Sequence, residues 1–214
     1  MSKTERQGTG FQGERSLKQQ LEKLQKPLDV TDIDFRVGRS GVKNNKAWAT
    51  LLAYKDSRVD MRRLDEAFPM RWRNSYKRDS KGILQCEISI YSDELSEWVS
   101  KCSNGTASQF ESEKGEYSDS FKRAGFMWGI GRELYDLPEL FLWLNDSEFW
   151  VKEYNGKEKV NMNHSFKPND WIWTIDWDHV DPHGNKGLIH AKEKGSSSYR
   201  VKPQSIFLKH KVRQ

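Results

Sequence analysis

Between residues 32 and 90, short runs of alternating apolar and polar residues come in pairs separated by turn sequences. In DIDFRVGR the isoleucine, phenylalanine and valine fall on one face of an extended chain. Residues 40–45 resemble a turn, and residues 46–54 (KAWATLLAY) resemble the second strand of a hairpin. Because strands joined by a tight turn run antiparallel, this pattern restricts the chain to a fold built on antiparallel sheets.

The next part of the chain repeats the pattern in a longer form. The segment MRWRNSYKRDSKGILQCEISIYSDE alternates on both sides of a DSKG turn, which predicts a second hairpin. A shorter strand is expected around Trp98, and residues 102–110 (CSNGTASQF) are predicted to form a loop.

Three segments with helical spacing of their apolar residues flank these strands. Residues 14–26 (ERSLKQQLEKLQK) place three leucines on one face before Pro27 ends the run. Residues 57–67 (SRVDMRRLDEA) predict a short helix with Ser57 as its N-cap. A longer helix is expected over residues 111–130. The order of elements predicts an α+β fold, in which a long helix packs on an antiparallel sheet.

The remainder of the chain is predicted to be rich in strands. The segment LPELFLWLNDSEFWVKEYNGKEKV, which follows Asp136, predicts a short helix and then a hairpin that turns at Asn155 and Gly156. A second strand-rich segment with an HGNKG turn and a basic tail follows. We therefore predict three parts: a flexible tail (1–13), a core (14–140) and a strand-rich C-terminal extension with a basic tail (141–214).

The net charge of +5 is unevenly distributed. Residues 1–80 contain 18 Lys and Arg against 11 Asp and Glu, whereas residues 81–159 contain 9 against 15. The excess lies between residues 36 and 80, where arginines outnumber lysines eight to four. Since the planar guanidinium suits phosphates and base stacking, this basic cluster is a candidate contact surface for a phosphate backbone. The alternative is that these side chains form ordinary solvated faces.

Composition also limits the class of protein. The nine Trp, seven Tyr and ten Phe argue against disorder for most of the chain. The two cysteines, Cys86 and Cys102, are too few for a disulfide framework and predict reduced thiols in a cytoplasmic protein. The N-terminal residues form no apolar signal segment and no window approaches ~20 apolar residues, so we expect no membrane partner.

The predicted long helix combines an apolar stripe with a charged side. At about 100° per residue the stripe faces the core, and it consists of Tyr117, Phe121, Ala124 and Trp128. Lys122 and Arg123 fall on the other side with Phe126 between them, a surface that can bind a sugar-phosphate backbone and touch a base. In the alternative, Phe126 packs on another element and the cations pair with Glu116, Asp119 or a neighbouring subunit.

The segment SDSFKRAGFMWGIGRELYDLP closely resembles the signature helix of phage Sak-type single-strand annealing proteins of the Rad52 superfamily. The similarity covers about residues 14–140, where the segments IDFRVGR, SRVDMRRLDEAFP and MRWRNSY occur in the expected order. The resemblance implies a β-β-β-α core that assembles into a ring or filament of identical subunits. It also implies a groove that holds single-stranded DNA with its bases turned outward for annealing in homologous recombination.

The resemblance also assigns residues to that groove. It implies that Lys122 and Arg123 contact the DNA backbone, and that Arg36 on the first strand lines the groove with Arg39 beside it. Other basic residues match by location only: Lys43, Lys46, Arg71, Arg73 and Lys77. The family often has a further basic residue at the position of Phe126, so stacking is expected to replace a backbone contact there.

Annealing requires no bond to be made by the protein, and we expect no catalytic residue, metal or cofactor. The sequence contains no GxxxxGK[ST], GxSxG or HExxH motif, so ATP hydrolysis is not expected. The expected partners are single-stranded DNA, the annealed duplex intermediate and further copies of the chain, with a single-strand-binding protein or an exonuclease as additional candidates. A phage-encoded protein of this kind would work in the host cytoplasm.

Two alternatives belong to other functional classes. A metal-dependent nuclease would use the oxygen-rich segment IDWDHVDPH, whose candidate ligands are Asp176, Asp178, His179, Asp181 and His183. A recombination-associated protein-interaction module would instead dock a partner on Trp171, Trp173 and Trp177, although tryptophans at alternate positions usually face a core.

Overall fold

A computed structural model of the protein describes residues 16–105, 112–184 and 186–206. In these ranges the chain forms an α+β fold whose paired strands are all antiparallel, as predicted. No helix in the described part is both long and apolar enough to cross a membrane. The helices are α1 (Leu17–Gln25), α2 (Ser57–Ala67) and α3 (Ser112–Trp128). The strands are β1 (Asp34–Lys43), β2 (Lys46–Tyr54), β3 (Trp72–Arg78), β4 (Leu84–Ser92), β5 (Glu97–Asn104), β6 (Leu140–Trp143), β7 (Phe149–Tyr154), β8 (Lys157–Met162), β9 (Ile172–Val180), β10 (Lys186–Lys192) and β11 (Tyr199–Ser205).

The chain divides into two compact units. Unit 1 combines the described residues up to Lys26 with Met61–Ala124. Unit 2 combines Pro27–Asp60 with the described residues from Gly125 onward. Helices α2 and α3 therefore contribute residues to both units, and the predicted division at residue 140 stays a prediction.

Unit 1 contains strands β3, β4 and β5, paired in that order, and then α3, which gives the element order β-β-β-α. In the predicted turn between β3 and β4, the Asp79 carboxylate accepts hydrogen bonds from the backbone N–H groups of Lys81 and Ile83, each at 2.9 Å. Alternate residues of β4 are buried, as expected for a strand with one face in a core: Leu84, Cys86, Ile88 and Ile90.

Unit 2 contains the sheet β1-β2-β6, the sheet β11-β10-β9 and the hairpin β7-β8. These elements share one hydrophobic core, which includes Phe35, Leu51, Leu142, Ile189 and Ile206. Segments from near both ends of the described chain are therefore buried against one another. The N-terminal hairpin depends on the C-terminal strands for its apolar partners.

The hairpin β1-β2 differs from its prediction at the turn. The turn prediction is wrong for residues 40–43, because β1 continues through a β-bulge to Lys43. Only Asn44 and Asn45 form the connection, with φ values of 51° and 59°. Two left-handed residues in succession match the twist of a tight hairpin, and asparagine tolerates this conformation better than most residues.

The region after Asp136 also differs. The predicted short helix is wrong, since its apolar run LFLW forms strand β6, which pairs with β2. The two leucines of this run are buried, whereas its phenylalanine and tryptophan are exposed. The hairpin that turns at Asn155 and Gly156 is confirmed, with φ values of 52° and 71°.

Two smaller corrections concern element ends. Residues 102–104 belong to β5 and not to a loop, while residues 106–110 of the predicted loop lie outside the described ranges. The N-cap of α2 is Asp56 and not Ser57, since the Asp56 carboxylate accepts a hydrogen bond from the backbone N–H of Arg58 at 2.8 Å.

Unit 2 contains a buried ion pair. Lys55 and Asp60 have side chains that are 6% and 0% exposed, and the Lys55 ammonium donates to both carboxylate oxygens of Asp60. A Cβ atom at Gly125 would lie 2.9 Å from Cγ of Asp60, and one at Gly131 would lie 2.7 Å from Cε of Lys55. The two glycines therefore leave the space that the ion pair occupies.

We expect Lys55→Met to lower the free energy of unfolding by about 3–5 kcal/mol, because it removes the ammonium from a buried carboxylate. The double variant Lys55→Met with Asp60→Leu should recover most of this stability, since no buried charge remains. Urea denaturation measures both values. Lys152→Met, on the exposed surface of β7, is the control, and equal stability of the two single variants would contradict the prediction.

Candidate nucleic-acid interface

Helix α3 is attached to the sheet of unit 1 by a buried carboxylate. Glu116 accepts hydrogen bonds from Nη1 and Nη2 of Arg78 at 3.2 and 2.9 Å, and from the backbone N–H of Leu84 at 3.2 Å. The Arg78 hydrogen bonds are the main cause that holds the pKa of Glu116 below its ordinary value. These bonds fix the position of α3 on β3 and β4.

The predicted apolar stripe of α3 is confirmed at three of its four positions. Phe121, Ala124 and Trp128 are 1%, 0% and 5% exposed. The prediction is wrong for Tyr117, which is 43% exposed. Its ring instead makes an edge contact with the ring of Tyr76 on β3, at a centroid distance of 4.8 Å.

The α3 cation pair, Lys122 and Arg123, lies outside this stripe. Arg123 is exposed, and its Nε donates to the Asp119 carboxylate at 2.8 Å, one helical turn away. Lys122 is half-buried and forms no ion pair with a described residue. The alternative partner Asp119 is therefore confirmed for Arg123, whereas Glu116 bonds to Arg78.

Phe126 packs within its own chain. Its ring centroid lies 4.6 Å from that of Tyr135, and the guanidinium of Arg132 lies 5.7 Å from its ring. Arg132 also donates to the backbone carbonyls of Phe126 and Met127 at 2.9 and 2.8 Å, which satisfies acceptors at the C-terminal end of α3. The structure thus shows Phe126 packed on another element, and its contact with DNA stays a prediction.

The two arginines predicted on β1 have different surroundings. Arg36 is exposed and its guanidinium lies 5.8 Å from the ring of Tyr54. Arg39 is bound to Glu139, whose carboxylate also accepts a hydrogen bond from the Thr50 hydroxyl at 2.7 Å. The bonds to Arg39 and Thr50 hold the pKa of Glu139 below its ordinary value. Arg39 must therefore leave or share a carboxylate in order to bind phosphate.

Lys43 and Lys46 occupy the end of the β1-β2 hairpin. They face each other across the two strands, on either side of the asparagine turn, and both are exposed. Like charges at directly opposed positions of a sheet repel each other. The hairpin end is therefore a position where an anionic ligand relieves a local repulsion.

The basic residues predicted on β3 do not lie with the α3 cation pair. The ring of Tyr76 faces α3, and side chains alternate along a strand, so Arg73 and Lys77 point to the opposite face of the sheet. There the guanidinium of Arg73 lies 4.2 Å from the ring of Trp98. Arg71, just before the strand, is ion-paired with Asp93.

Two residues of the basic cluster between residues 36 and 80 are buried and do not belong to the protein surface. Lys55 and Arg63 are only 6% and 7% exposed. The Nζ atom of Lys55 is used by the buried ion pair of unit 2, and Arg63 donates toward the backbone carbonyl of Lys23 at 3.5 Å. The contacts of these two cations are therefore internal to the protein.

The segment proposed for a nuclease has local hydrogen bonds. The Asp176 carboxylate accepts from the backbone N–H groups of Asp178 and His179, both at 3.1 Å. The Asp181 carboxylate accepts from the Ser205 hydroxyl at 2.7 Å. Within the described ranges, no three or more His, Cys, Asp or Glu side chains are grouped so as to hold a metal ion.

The three tryptophans proposed for partner docking pack against the core of unit 2. The ring of Trp173 stacks on Phe35 at a centroid distance of 3.5 Å, and its Nε1 donates to a backbone carbonyl at 2.7 Å. Trp177 donates to the carbonyl of Leu28 at 3.1 Å. Trp171 makes an edge contact with Phe166 at 5.7 Å. Their main contacts are internal.

The sequence patterns did not identify an aromatic group on the sheet β1-β2-β6. Trp48, Phe141 and Trp143 lie together on its outer face, the side turned away from the core of unit 2. The alternation in LFLW was the signal that could have revealed it, since it places the two aromatic residues of β6 on one side of a strand.

We expect Glu116→Gln to lower the melting temperature at pH 7, because it removes the carboxylate that seats α3. The folded-state pKa of Glu116 is depressed, so its contribution is present above the unfolded pKa and is lost as pH falls through the folded pKa. The difference in melting temperature between wild type and variant should therefore shrink below about pH 4.5. Circular dichroism at a series of pH values measures it. The control is Glu94→Gln in an exposed turn, and a pH-independent difference for Glu116→Gln would contradict the prediction.

In the comparison with known proteins, the model of one protein family matches the chain. The model of the Rad52/22 family double-strand break repair protein matches residues 16–148, which is more than half of the chain. The matched segment begins before α1 and ends just before β7, so it includes α3 and strands β1 to β6. No curated protein and no solved structure matches the chain.

Proposed function

Because the chain belongs to the Rad52/22 family of double-strand break repair proteins, we propose that it binds single-stranded DNA and anneals complementary strands. The observation that carries the proposal is the α3 cation pair. Lys122 and Arg123 stand outside the buried stripe of a helix that Glu116 attaches to a sheet. Two cations on a rigid support can bind successive phosphates at a small cost in conformational entropy.

The proposed mechanism needs no covalent step. Cations that replace the counterions of the strand release them to solution, which makes binding favourable and strongly dependent on salt. A strand held in an extended form has already lost much of the freedom that duplex formation removes. Base pairing with a second strand then supplies the driving free energy, so the reaction proceeds without ATP or a cofactor, and the protein is not an enzyme in this proposal.

Unit 2 carries exposed cations of its own that the proposal also assigns to the phosphate backbone. Arg36 of β1 and the hairpin-end residues Lys43 and Lys46 are open to a phosphate backbone. Arg39 binds by exchanging the Glu139 carboxylate for a phosphate. Phe126 contributes stacking only after its ring leaves Tyr135.

The basic residues near β3 have a secondary place in the proposal. Arg71 requires the exchange of Asp93 for phosphate. Arg73 and Lys77 face away from α3, so a strand that lies along the α3 cation pair does not reach them over the same side of the sheet. They would contact a separate part of the DNA, such as the annealed duplex intermediate.

The wider setting follows from the resemblance to Sak-type phage proteins. We propose that copies of the chain form a ring or filament, in which the groove continues from one subunit to the next, and that the core of residues 14–140 carries this assembly. The protein would act as a phage recombinase in the host cytoplasm, together with a single-strand-binding protein or an exonuclease that supplies single strands.

We expect Lys122→Ala with Arg123→Ala to weaken binding of single-stranded DNA by on the order of tenfold, and to slow annealing of complementary oligonucleotides without ATP. The slope of log affinity against log salt should fall by about 0.7 for each phosphate that the variant no longer neutralises. Fluorescence anisotropy at several salt concentrations measures both quantities.

The matched control for this variant is Lys152→Ala with Lys159→Ala. These two exposed lysines face each other across β7 and β8, so the control removes the same charge from another surface. Equally weakened binding in the two double variants would show that net charge alone controls affinity. Unchanged binding by a folded Lys122→Ala, Arg123→Ala variant would remove α3 from the interface.

A substitution with the opposite effect tests the same site. Asp119→Asn removes the carboxylate that pairs with Arg123. A DNA phosphate then binds Arg123 without displacing a charged side chain. We expect the affinity for single-stranded DNA to rise by about two- to fivefold at low salt, with a smaller gain at high salt. Asp65→Asn, in the exposed part of α2, is the control, and weaker binding by Asp119→Asn would contradict the assignment.

A further inference from the structure

The outer face of the sheet β1-β2-β6 carries a group of three aromatic side chains, the aromatic platform, formed by Trp48, Phe141 and Trp143. Strand register places Trp48 directly opposite Trp143, with Phe141 on the same face. The ring of Phe141 lies 5.8 Å from that of Trp48 and 5.2 Å from that of Trp143. The three rings thus form one continuous apolar surface.

This platform is open to solvent. Phe141 is 48% exposed and Trp143 is 44% exposed, although their neighbours on β6 are buried in the core. Trp48 is half-buried. Gly41 lies across from it on β1, where a Cβ atom would come within 3.0 Å of the indole ring. The absence of a side chain at Gly41 lets the indole lie close against the strand.

The platform tryptophans differ from those that serve the core. Trp173 and Trp177 each donate the indole N–H to a backbone carbonyl, as expected for partly buried tryptophans. Trp48 and Trp143 donate no indole hydrogen bond to any described residue. Their N–H groups, and the exposed parts of their rings, remain available to a ligand.

Positive charge borders the platform. Lys46 lies two residues before Trp48 on β2, on the same face, and its cross-strand neighbour is Lys43. At the other side of the face, Arg39 and Glu139 neutralise each other. The border nearest the hairpin end therefore carries two cations that no ion pair with a described residue offsets.

We propose that the aromatic platform is a second contact site for single-stranded nucleic acid, where unpaired bases stack on Phe141, Trp143 and Trp48 while Lys43 and Lys46 contact phosphates. The ligand class rests on the proposed function, in which Lys43 and Lys46 already contact phosphates, whereas the three stacking residues have no part in it. Bases stack on aromatic side chains without regard to sequence, which suits a protein that holds any strand. The charge border favours this occupant over a second copy of the chain, because cations complement a polyanion and a second platform carries the same positive charges.

The test separates base contacts from phosphate contacts. Binding of the wild type and of Phe141→Thr with Trp143→Thr is measured on oligo(dT) and on an abasic strand of the same length. The substitutions lie on an exposed strand face, where threonine is a good strand former. We expect the variant to bind oligo(dT) roughly tenfold more weakly and the abasic strand with unchanged affinity, because only the stacking surface is removed.

The matched control is Trp150→Thr with Tyr154→Thr on β7, two aromatic side chains that are 48% and 67% exposed. This control should leave both affinities unchanged. In a second measurement, photocrosslinking of the wild type to bromodeoxyuridine-substituted strands should label the peptides that contain Trp48 or residues 141–143. The crosslink requires no variant to fold.

The outcomes that overturn the proposal are distinct from a failure of the proposed function. If wild type binds no single-stranded DNA, the proposed function fails. If wild type binds and the platform variant retains its preference for oligo(dT), with crosslinks elsewhere, the platform proposal alone fails. A change of oligomer size in the platform variant, measured by light scattering, with no crosslink on the platform, would assign this face to contact between copies.

Discussion

The ion pair between Lys55 and Asp60 is the constraint on which unit 2 depends. Two opposite charges out of water are tolerated only when each remains close to the other. The pair connects the end of β2 with the first turn of α2, and it requires glycines at positions 125 and 131. Glycine lowers the stability of a helix. Its presence at these two positions near the end of α3 is explained by the space that the side chains of Lys55 and Asp60 need. The end of that helix thus lies where two glycines leave room for a pair of buried charges.

Burial and ion pairing also divide the basic residues into groups, which a count of Lys and Arg in the sequence does not distinguish. Lys55 and Arg63 are buried, and Arg39, Arg71 and Arg123 are paired with carboxylates. A surface on which cations already have intramolecular partners binds DNA by exchange of one anion for another. Its affinity is then set by the difference between two interactions, and the count of Lys and Arg overstates the attraction.

Local patterns determined the elements whose partners lie nearby in the chain. The hairpin β3-β4 and helix α2 follow from alternation, helical spacing and turn residues, and both formed as predicted. Strand β6 was assigned to a helix because four apolar residues fit either period, and only its pairing with β2, far earlier in the chain, decides between them. Tyr117 fits the apolar stripe of α3, but its side chain is exposed and makes an edge contact with the ring of Tyr76. The positions of Lys122 and Arg123 on the helix predict that they face solvent. Their contact with the DNA backbone is implied by the resemblance alone and stays a prediction.

The shared core of unit 2 has a consequence for the order of folding during synthesis. The strands β3 to β5 and helix α3 are consecutive among the described elements, so their contacts can form as soon as that stretch leaves the ribosome. The hairpin β1-β2 emerges earlier, yet its core-facing residues share one cluster with residues that are made much later, including Ile189 and Ile206. We expect the nascent chain to carry the hairpin β1-β2 uncovered until strands β9 to β11 have been made. Such a segment is a natural substrate for chaperones that bind exposed apolar strands.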